Sequence, residues 1–124
     1  MKPRILVVED SAMNRELLCD WLESEGYQVA VATNLGEGFA ALRGAPPAAV
    51  LLDVKLGPDD GVELVRWMRG QSALCQVPVI AVTAHALLAE QQRVLDGGCD
   101  ACLPKPLDFA QLQEQLRRTM RSQP

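Results

Sequence analysis

The stretch Ala48-Ala49-Val50-Leu51-Leu52-Asp53 decides how this sequence folds. Its five consecutive apolar residues predict a strand that is buried on both faces, as in a parallel sheet covered by helices. Asp53 ends the run, so its carboxylate is expected at an edge of the sheet and not in the core. In open parallel α/β sheets, binding sites lie at the carboxyl ends of the strands. Asp53 is therefore a candidate reactive carboxylate.

Three more apolar runs deliver a polar side chain in the same way. They are Ile5–Val8 before Glu9 and Asp10, Pro78–Val82 before Thr83, and Ala101–Pro104 before Lys105. Parallel strands end at one edge of a sheet, so we expect these acids, the hydroxyl and the ammonium to converge on Asp53.

Helical patterns separate the strands. The helices are predicted from Ser11 to a stop at Gly26, over Leu35–Leu42, after a cap at Asp60, over Leu87–Leu95 and over Leu107–Met120. Tyr27–Val31 alternates between apolar and polar residues, as an edge strand does. Repeated βα units with right-handed crossovers predict an α/β domain with a five-stranded parallel sheet and helices on both faces. All 124 residues are assigned to this one domain, with no output domain in the chain.

Two apolar stripes are predicted to face the core. The last helix should bury Leu107, Phe109, Leu112, Leu116 and Met120. The first should bury Met13, Leu17, Leu18 and Trp21, a stripe that we interpret as core and not as a docking surface. Asn14 and Arg15 are polar and close to the strand ends, so they are the better candidates for contact with a partner.

Composition argues against several kinds of partner. The chain has 12 basic and 16 acidic residues, a net charge of −4, and no polybasic run, so direct binding of nucleic acid is not expected. No apolar stretch approaches the roughly 20 residues of a membrane span, and no signal peptide is recognisable. We expect a cytoplasmic protein whose four cysteines are reduced thiols.

Other site chemistries are poorly supported. Cys99-Asp100-Ala101-Cys102 is formally a C-x-x-C, but it leads into a strand and has no second pair for zinc, so structural thiols are preferred over redox or metal work. A single histidine and the lack of G-x-S-x-G argue against a hydrolase. The first turn, Glu9-Asp10-Ser11-Ala12, is acidic and has no glycine, so it would repel a nucleotide phosphate unless a metal intervened.

The chain resembles a response-regulator receiver domain of two-component signalling, of the single-domain or hybrid-kinase type. The resemblance covers nearly the whole of 1–124 and is carried by Glu9-Asp10, Asp53 with Asp60-Gly61, Thr83-Ala84 and Lys105-Pro106, in that order. It implies a flavodoxin-like, doubly wound (βα)5 fold with parallel strand order 2-1-3-4-5.

The resemblance also implies a role for each site residue. Asp53 would accept a phosphoryl group from a histidine kinase or a histidine phosphotransfer protein. The Mg²⁺ ligands would be Glu9, Asp10, Asp53 and the backbone carbonyl of Lys55, and Mn²⁺ would substitute for Mg²⁺. Thr83 and Lys105 would contact the phosphoryl group, and the Lys105–Pro106 peptide would be cis. Apart from this self-phosphorylation and autodephosphorylation, no enzyme activity is implied, and the downstream protein target is unknown.

The residue chemistry agrees with these roles. Clustered carboxylates repel one another unless a cation is present, and Mg²⁺ prefers oxygen ligands. Phosphoryl transfer needs mainly positioning and charge stabilisation, which carboxylates, a metal and Lys105 supply. A phosphorylation-independent interaction module is the alternative, although such modules usually lack an acid, the threonine or the lysine.

Four positions depart from the family's usual pattern. Lys55 stands two residues after Asp53, and we expect its ammonium to change the lifetime of the phosphoaspartate. His85 is interpreted as an exposed loop residue, with gating of an attacking water as the alternative. Gly57 replaces a frequent proline, which predicts a more mobile turn. Cys102 replaces the aromatic side chain that usually acts as a switch, so the signal would have to be carried by Thr83 and loop movement alone, or by another face of the domain.

Overall fold

A computed structural model of the chain describes residues 2–85 and 87–121. Five parallel strands form the main sheet in the order β2-β1-β3-β6-β7. The strands are β1 (Arg4–Val8), β2 (Gln28–Ala32), β3 (Ala49–Asp53), β6 (Val79–Thr83) and β7 (Ala101–Pro104). Counted along the chain as the five sheet strands, this order is the predicted 2-1-3-4-5, so the flavodoxin-like fold is confirmed.

Within the described residues, four helices connect the strands of the main sheet and a fifth follows β7. They are α1 (Ala12–Ser24), α2 (Leu35–Gly44), α3 (Val62–Arg69), α4 (Leu88–Asp96) and α5 (Phe109–Arg121). The side chain of Ser11 caps α1 by accepting the N–H of Asn14, and Asp108 accepts the N–H groups that open α5. Within the described residues, no helix is both long and apolar enough to cross a bilayer.

The sheet divides the core into two clusters. Leu6, Val8, Val50 and Leu52 point to the side covered by α2, α3 and α4, whereas Ile5, Val7 and Leu51 point to the side covered by α1 and α5. All of these residues are buried because alternate strand residues face opposite helix layers. Because the strand interiors are apolar and buried on both faces, polar side chains from the sheet reach solvent at the ends of the strands.

The segment after Asp53 is more ordered than the predicted turn. It forms a two-stranded antiparallel hairpin of β4 (Lys55–Leu56) and β5 (Asp59–Asp60). Gly61, and not the predicted Asp60, is the N-cap residue of α3, although the Asp60 carboxylate accepts the N–H of Val62 at 3.1 Å. A Cβ at Gly61 would lie 2.6 Å from the carbonyl oxygen of Asp53, so this close approach requires glycine.

One core prediction is wrong for part of α1. Leu18 is buried and Trp21 stacks on Phe109 with ring centroids 5.1 Å apart, but Met13 and Leu17 are 69% and 54% exposed. Residues four apart form rows along a helix, and the row of Leu18 and Leu22 is the one that faces the sheet. The neighbouring residues Met13 and Leu17 are turned toward solvent.

The α5 prediction is confirmed. Leu112 and Leu116 are fully buried, and Leu107, Phe109 and Met120 pack against the same cluster as partly buried side chains.

Candidate functional site

The predicted site residues meet at the carboxyl edge of the sheet. Asp53 lies in the middle, at the end of β3, between the ends of β1 and β6. The ammonium of Lys105 reaches it from beyond β7, with Nζ 3.0 Å from Asp53 Oδ2 and 3.4 Å from Glu9 Oε1. The Lys105–Pro106 peptide is cis, as the resemblance implied.

Three carboxylates form one cluster. One ligand oxygen from each of Glu9, Asp10 and Asp53 lies within 4.8 Å of the others. Glu9 and Asp53 are only 3% and 7% exposed, whereas Asp10 is exposed. One ammonium therefore faces three closely spaced acids, two of them buried, an arrangement that favours a further cation.

The environment of the cluster changes the pKa of Glu9. Burial, together with a hydrogen bond and repulsion from Asp53, raises the pKa of Glu9 to about 7, although the N–H of Ser11 and the ammonium of Lys105 act in the opposite direction. Ser11 donates its N–H to Glu9 Oε2 at 3.0 Å.

The cluster also perturbs Lys105. Burial alone would lower the pKa of this ammonium, but the hydrogen bond and attraction to Asp53, with a further contribution from Glu9, raise it. Lys105 therefore stays charged near neutral pH and holds a fixed position against Asp53.

The hairpin fixes Asp10. The N–H of Gly57 donates to Asp10 Oδ2 at 2.9 Å, and Gly57 has φ +59°, in the left-handed region that favours glycine. Through this hydrogen bond, Gly57 links the hairpin that follows β3 to Asp10, which follows β1.

Two further groups contact Asp53 or the space beside it. The N–H of Lys55 donates to Asp53 Oδ1 at 3.3 Å, while the Lys55 side chain is exposed. Thr83 is buried, and its hydroxyl accepts the N–H of His85 at 3.0 Å. In this arrangement the hydroxyl bonds to its own loop and not to Asp53.

A cavity of about 180 Å³ lies beside Asp53, between β6 and the hairpin. Lys55, Thr83 and His85 line it, together with Glu90 from the first turn of α4. Glu90 was missed by the sequence reasoning, because its position in the helix carries no motif.

Glu90 belongs to an ion-pair network that joins α4 to the hairpin. Arg93 Nε lies 2.7 Å from Glu90 Oε1, and Arg93 Nη1 lies 2.6 Å from Asp60 Oδ2. These hydrogen bonds raise the pKa of Arg93. Asp60 thus serves both the start of α3 and this contact, which its sequence context did not indicate.

The C-x-x-C cysteines have the character of structural thiols. Cys99 is buried in the core, and burial first, then repulsion from Cys102, raises its pKa to about 12. Burial and the nearby Glu90 carboxylate also raise the pKa of Cys102. Since the thiolate is the reactive form, both are poor nucleophiles.

Comparison with known proteins identifies the family. The profile of the response regulator receiver domain matches residues 5–117. The chain belongs to the response regulator receiver domain family. A curated relative, the polar-differentiation response regulator DivK of Brucella anthropi, is 32% identical over 117 residues, which are 94% of this chain and 95% of that protein.

Solved receiver domains share the structure. The receiver domain of the sensor histidine kinase PA1611 from Pseudomonas aeruginosa has a TM-score of 0.90 and 32% identity, covering 98% of this chain and 100% of that one. That structure has a magnesium ion coordinated in its active site cleft. The receiver domain of a signal transduction histidine kinase from Syntrophus aciditrophicus has a TM-score of 0.87 and 33% identity, over 96% and 90% of the two chains.

This protein is thus a receiver domain of two-component signalling with an acidic pocket at the carboxyl edge of its sheet. Receiver domains are typically non-enzymatic signalling domains that interact with histidine kinases and downstream proteins.

Proposed function

We propose that this receiver accepts a phosphoryl group from a phosphohistidine onto Asp53, and that the modified state binds a downstream protein with altered affinity. The observation that carries the proposal is the buried Asp53 carboxylate, paired with Lys105 at 3.0 Å and clustered with two more acids. The four free cysteines suit a reducing cytoplasm, where we expect the domain to act.

The donor set fits Mg²⁺. Its oxygens are hard ligands within one ion's reach, and the pKa of Glu9 is raised by its burial and by Asp53 beside it. Asp10 and Asp53 would hold the ion with the Lys55 carbonyl, Glu9 would support it, and Mn²⁺ would substitute. When bound, the ion would neutralise charge on the transferring phosphoryl group.

Each site residue has a separate role in the proposed transfer. An Asp53 oxygen forms a bond to phosphorus while the bond from phosphorus to the imidazole nitrogen of the donor histidine breaks, and the electron pair leaves with that nitrogen. Lys105 then pairs with the phosphoryl oxygens. The hydroxyl of Thr83 redirects its own O–H, which points to the backbone carbonyl of His85 at 3.4 Å, toward a phosphoryl oxygen. That change moves the loop leading into α4, so it would shift the population of two conformations and with it the affinity for a partner.

The exposed row on α1 supports a donor-docking surface. Met13 and Leu17 present apolar side chains beside the strand ends, and Asn14 and Arg15 lie next to them. A helix of a histidine kinase or phosphotransfer protein with an apolar face would cover this row and bring its histidine to Asp53.

A phosphorylation-independent module remains the competing function, and one experiment separates the two. The protein is incubated with Mg²⁺ and acetyl phosphate, or with fluoroberyllate, and wild type is compared with Asp53→Ala by intact mass and by spectroscopy. We expect one phosphoryl adduct per chain in wild type and none in the variant. Asp59→Ala, which removes an exposed acid outside the cluster, is the matched control and should still form the adduct. A chain that forms no Asp53-dependent adduct would be an interaction module.

A further inference from the structure

The first turns of α4 are held to the domain by charged side chains more than by apolar packing. The structure describes all nine residues of this helix, and Val94 alone among them is buried. Leu88, which begins the helix, is 84% exposed, and no side chain of the described residues caps its N-terminus. Because little apolar surface is buried here, polar contacts contribute much of what fixes this end of the helix.

Three side chains supply these contacts, and together we call them the α4 latch: Asp60 of the hairpin, with Glu90 and Arg93 of α4. The guanidinium of Arg93 lies 2.7 Å from Glu90 and 2.6 Å from Asp60, so it joins the helix to the hairpin. A single exposed ion pair contributes little to stability, whereas a network that shares one cation contributes more. The latch has two negative charges against one positive charge.

Glu90 is the member of the latch that lines the 180 Å³ cavity beside Asp53. Its side chain is 20% exposed, so solvent ions screen its charge less than that of a fully exposed acid. Thr83 and Lys105 line the same cavity. A phosphoryl group that is bound to Asp53 and contacts both of them, as proposed above, would therefore occupy the space that Glu90 faces.

Phosphorylation would add negative charge to this space. The Asp53 carboxylate has one negative charge, whereas its phosphorylated form has about two. The added charge repels Glu90 and competes with it for Arg93, and across a partly buried space such interactions are stronger than in water. We propose that the α4 latch holds α4 against the hairpin in the unmodified receiver, and that phosphorylation of Asp53 weakens the latch through Glu90. The proposal rests on the proposed function of Asp53.

The expected effect is limited in size, because Mg²⁺ and the ammonium groups of Lys55 and Lys105 offset part of the added charge. Coupling between two sites of one protein is typically about fivefold or more. We therefore expect phosphorylation to favour the open latch, in which Arg93 has left Glu90 and Asp60, by about fivefold. Because coupling is reciprocal, the open receiver should bind a phosphoryl mimic more tightly than the closed one by the same factor.

Hydrogen exchange of α4 measures the opening of the latch in the intact protein. Amide exchange is compared before and after fluoroberyllate binds Asp53 with Mg²⁺, and we expect the α4 amides to exchange about fivefold faster in the complex. Glu90→Gln removes the repelled charge, so α4 should then exchange at nearly equal rates in both states. Glu114→Gln, which disrupts the i,i+3 pair with Arg117 on α5, is the matched control and should retain the full response.

The affinity for fluoroberyllate gives an independent readout. Glu90→Gln should bind it up to about fivefold more tightly than wild type, followed by the amide resonance of Thr83. A role of Glu90 in stability alone would not tighten this binding. Arg93→Gln removes the shared cation, so it should speed the exchange of α4 already in the unmodified protein.

Two results would overturn the latch and leave phosphorylation of Asp53 standing. One is exchange of α4 that does not respond to fluoroberyllate, and the other is an equal response in wild type and Glu90→Gln. A wild-type protein that forms no adduct at Asp53 would overturn the proposed function and the latch together, because no charge would then be added beside Glu90.

Discussion

At the scale of single residues, the backbone and the side chain of Lys55 are expected to act on different steps at Asp53. The backbone positions the carboxylate, and the side chain would affect the lifetime of the phosphoaspartate. The N–H of Lys55 holds an oxygen of Asp53 in place, a contact that any residue other than proline can make. Its side chain, in contrast, is exposed and lines the mouth of the 180 Å³ cavity through which water would reach a phosphoryl group. The backbone and the side chain of one residue thus have separable effects.

Lys55→Met should change the rate of autodephosphorylation and leave formation of the adduct intact. An ammonium at the cavity mouth attracts the dianionic phosphoryl group and orders water near it, and methionine removes that charge while keeping a similar length. The rate is measured by loss of phosphorylated mass after the donor is removed, with Lys2→Met as a distant control. An unchanged lifetime would show that the ammonium plays no part.

At the scale of elements, Arg69 at the end of α3 contacts the chain segments before β6 and β7, at the edge of the sheet opposite the site. Its guanidinium lies 3.1 Å from Asp100, whose carboxylate also accepts the N–H of Val79 at 2.8 Å. It further donates to four backbone carbonyls, those of Leu74, Cys75, Val77 and Gly98. One side chain therefore orders both chain segments that lead into β6 and β7.

Arg69→Ala should destabilise the domain by about 2 kcal/mol, because it removes the guanidinium from several partly buried carbonyls and leaves Asp100 with the N–H of Val79 but without its ion pair. Arg66→Ala on the same helix removes an exposed arginine and should cost less than about 0.5 kcal/mol. Urea unfolding of both variants measures the difference. Equal midpoints for the two would mean that water replaces the guanidinium without loss.

The elements also mark where prediction from sequence succeeds and fails. Asp53, Thr83 and Lys105 were located because a strand end fixes a side chain without reference to the rest of the molecule. The contact of Arg93 with Asp60 was not, because it depends on how α4 is rotated against the hairpin. Met13 was misjudged for a related reason: the apolar stripe on α1 is wider than the surface it packs on, and periodicity alone does not reveal that surface.

At the scale of the whole molecule, the site reduces the stability of the fold that holds it. Glu9 has an ordinary pKa of 4.5 that the fold raises to about 7. Between these values the unfolded chain loses its proton before the folded chain does. The folded state is then favoured less and less as the pH rises, until Glu9 is ionised in both states.

Glu9→Gln should remove this dependence. Without divalent metal, the unfolding free energy of wild type relative to the variant should fall by about 2 to 3 kcal/mol from pH 4.5 to pH 7.5. Denaturant titrations of both proteins in chelator across this range measure it, with Glu63→Gln, an exposed acid on α3, as the control. Parallel curves for wild type and Glu9→Gln would contradict a perturbed Glu9.

The domain has one candidate binding surface on each side of the sheet. The exposed row of Met13 and Leu17 belongs to α1, on one face, whereas the Glu90–Arg93–Asp60 network belongs to α4 and the hairpin, on the other. A donor docked over α1, as proposed above, would leave the α4 side open to a second protein. The receiver would then pass from one partner to the next through a ternary complex, without first being released into solution.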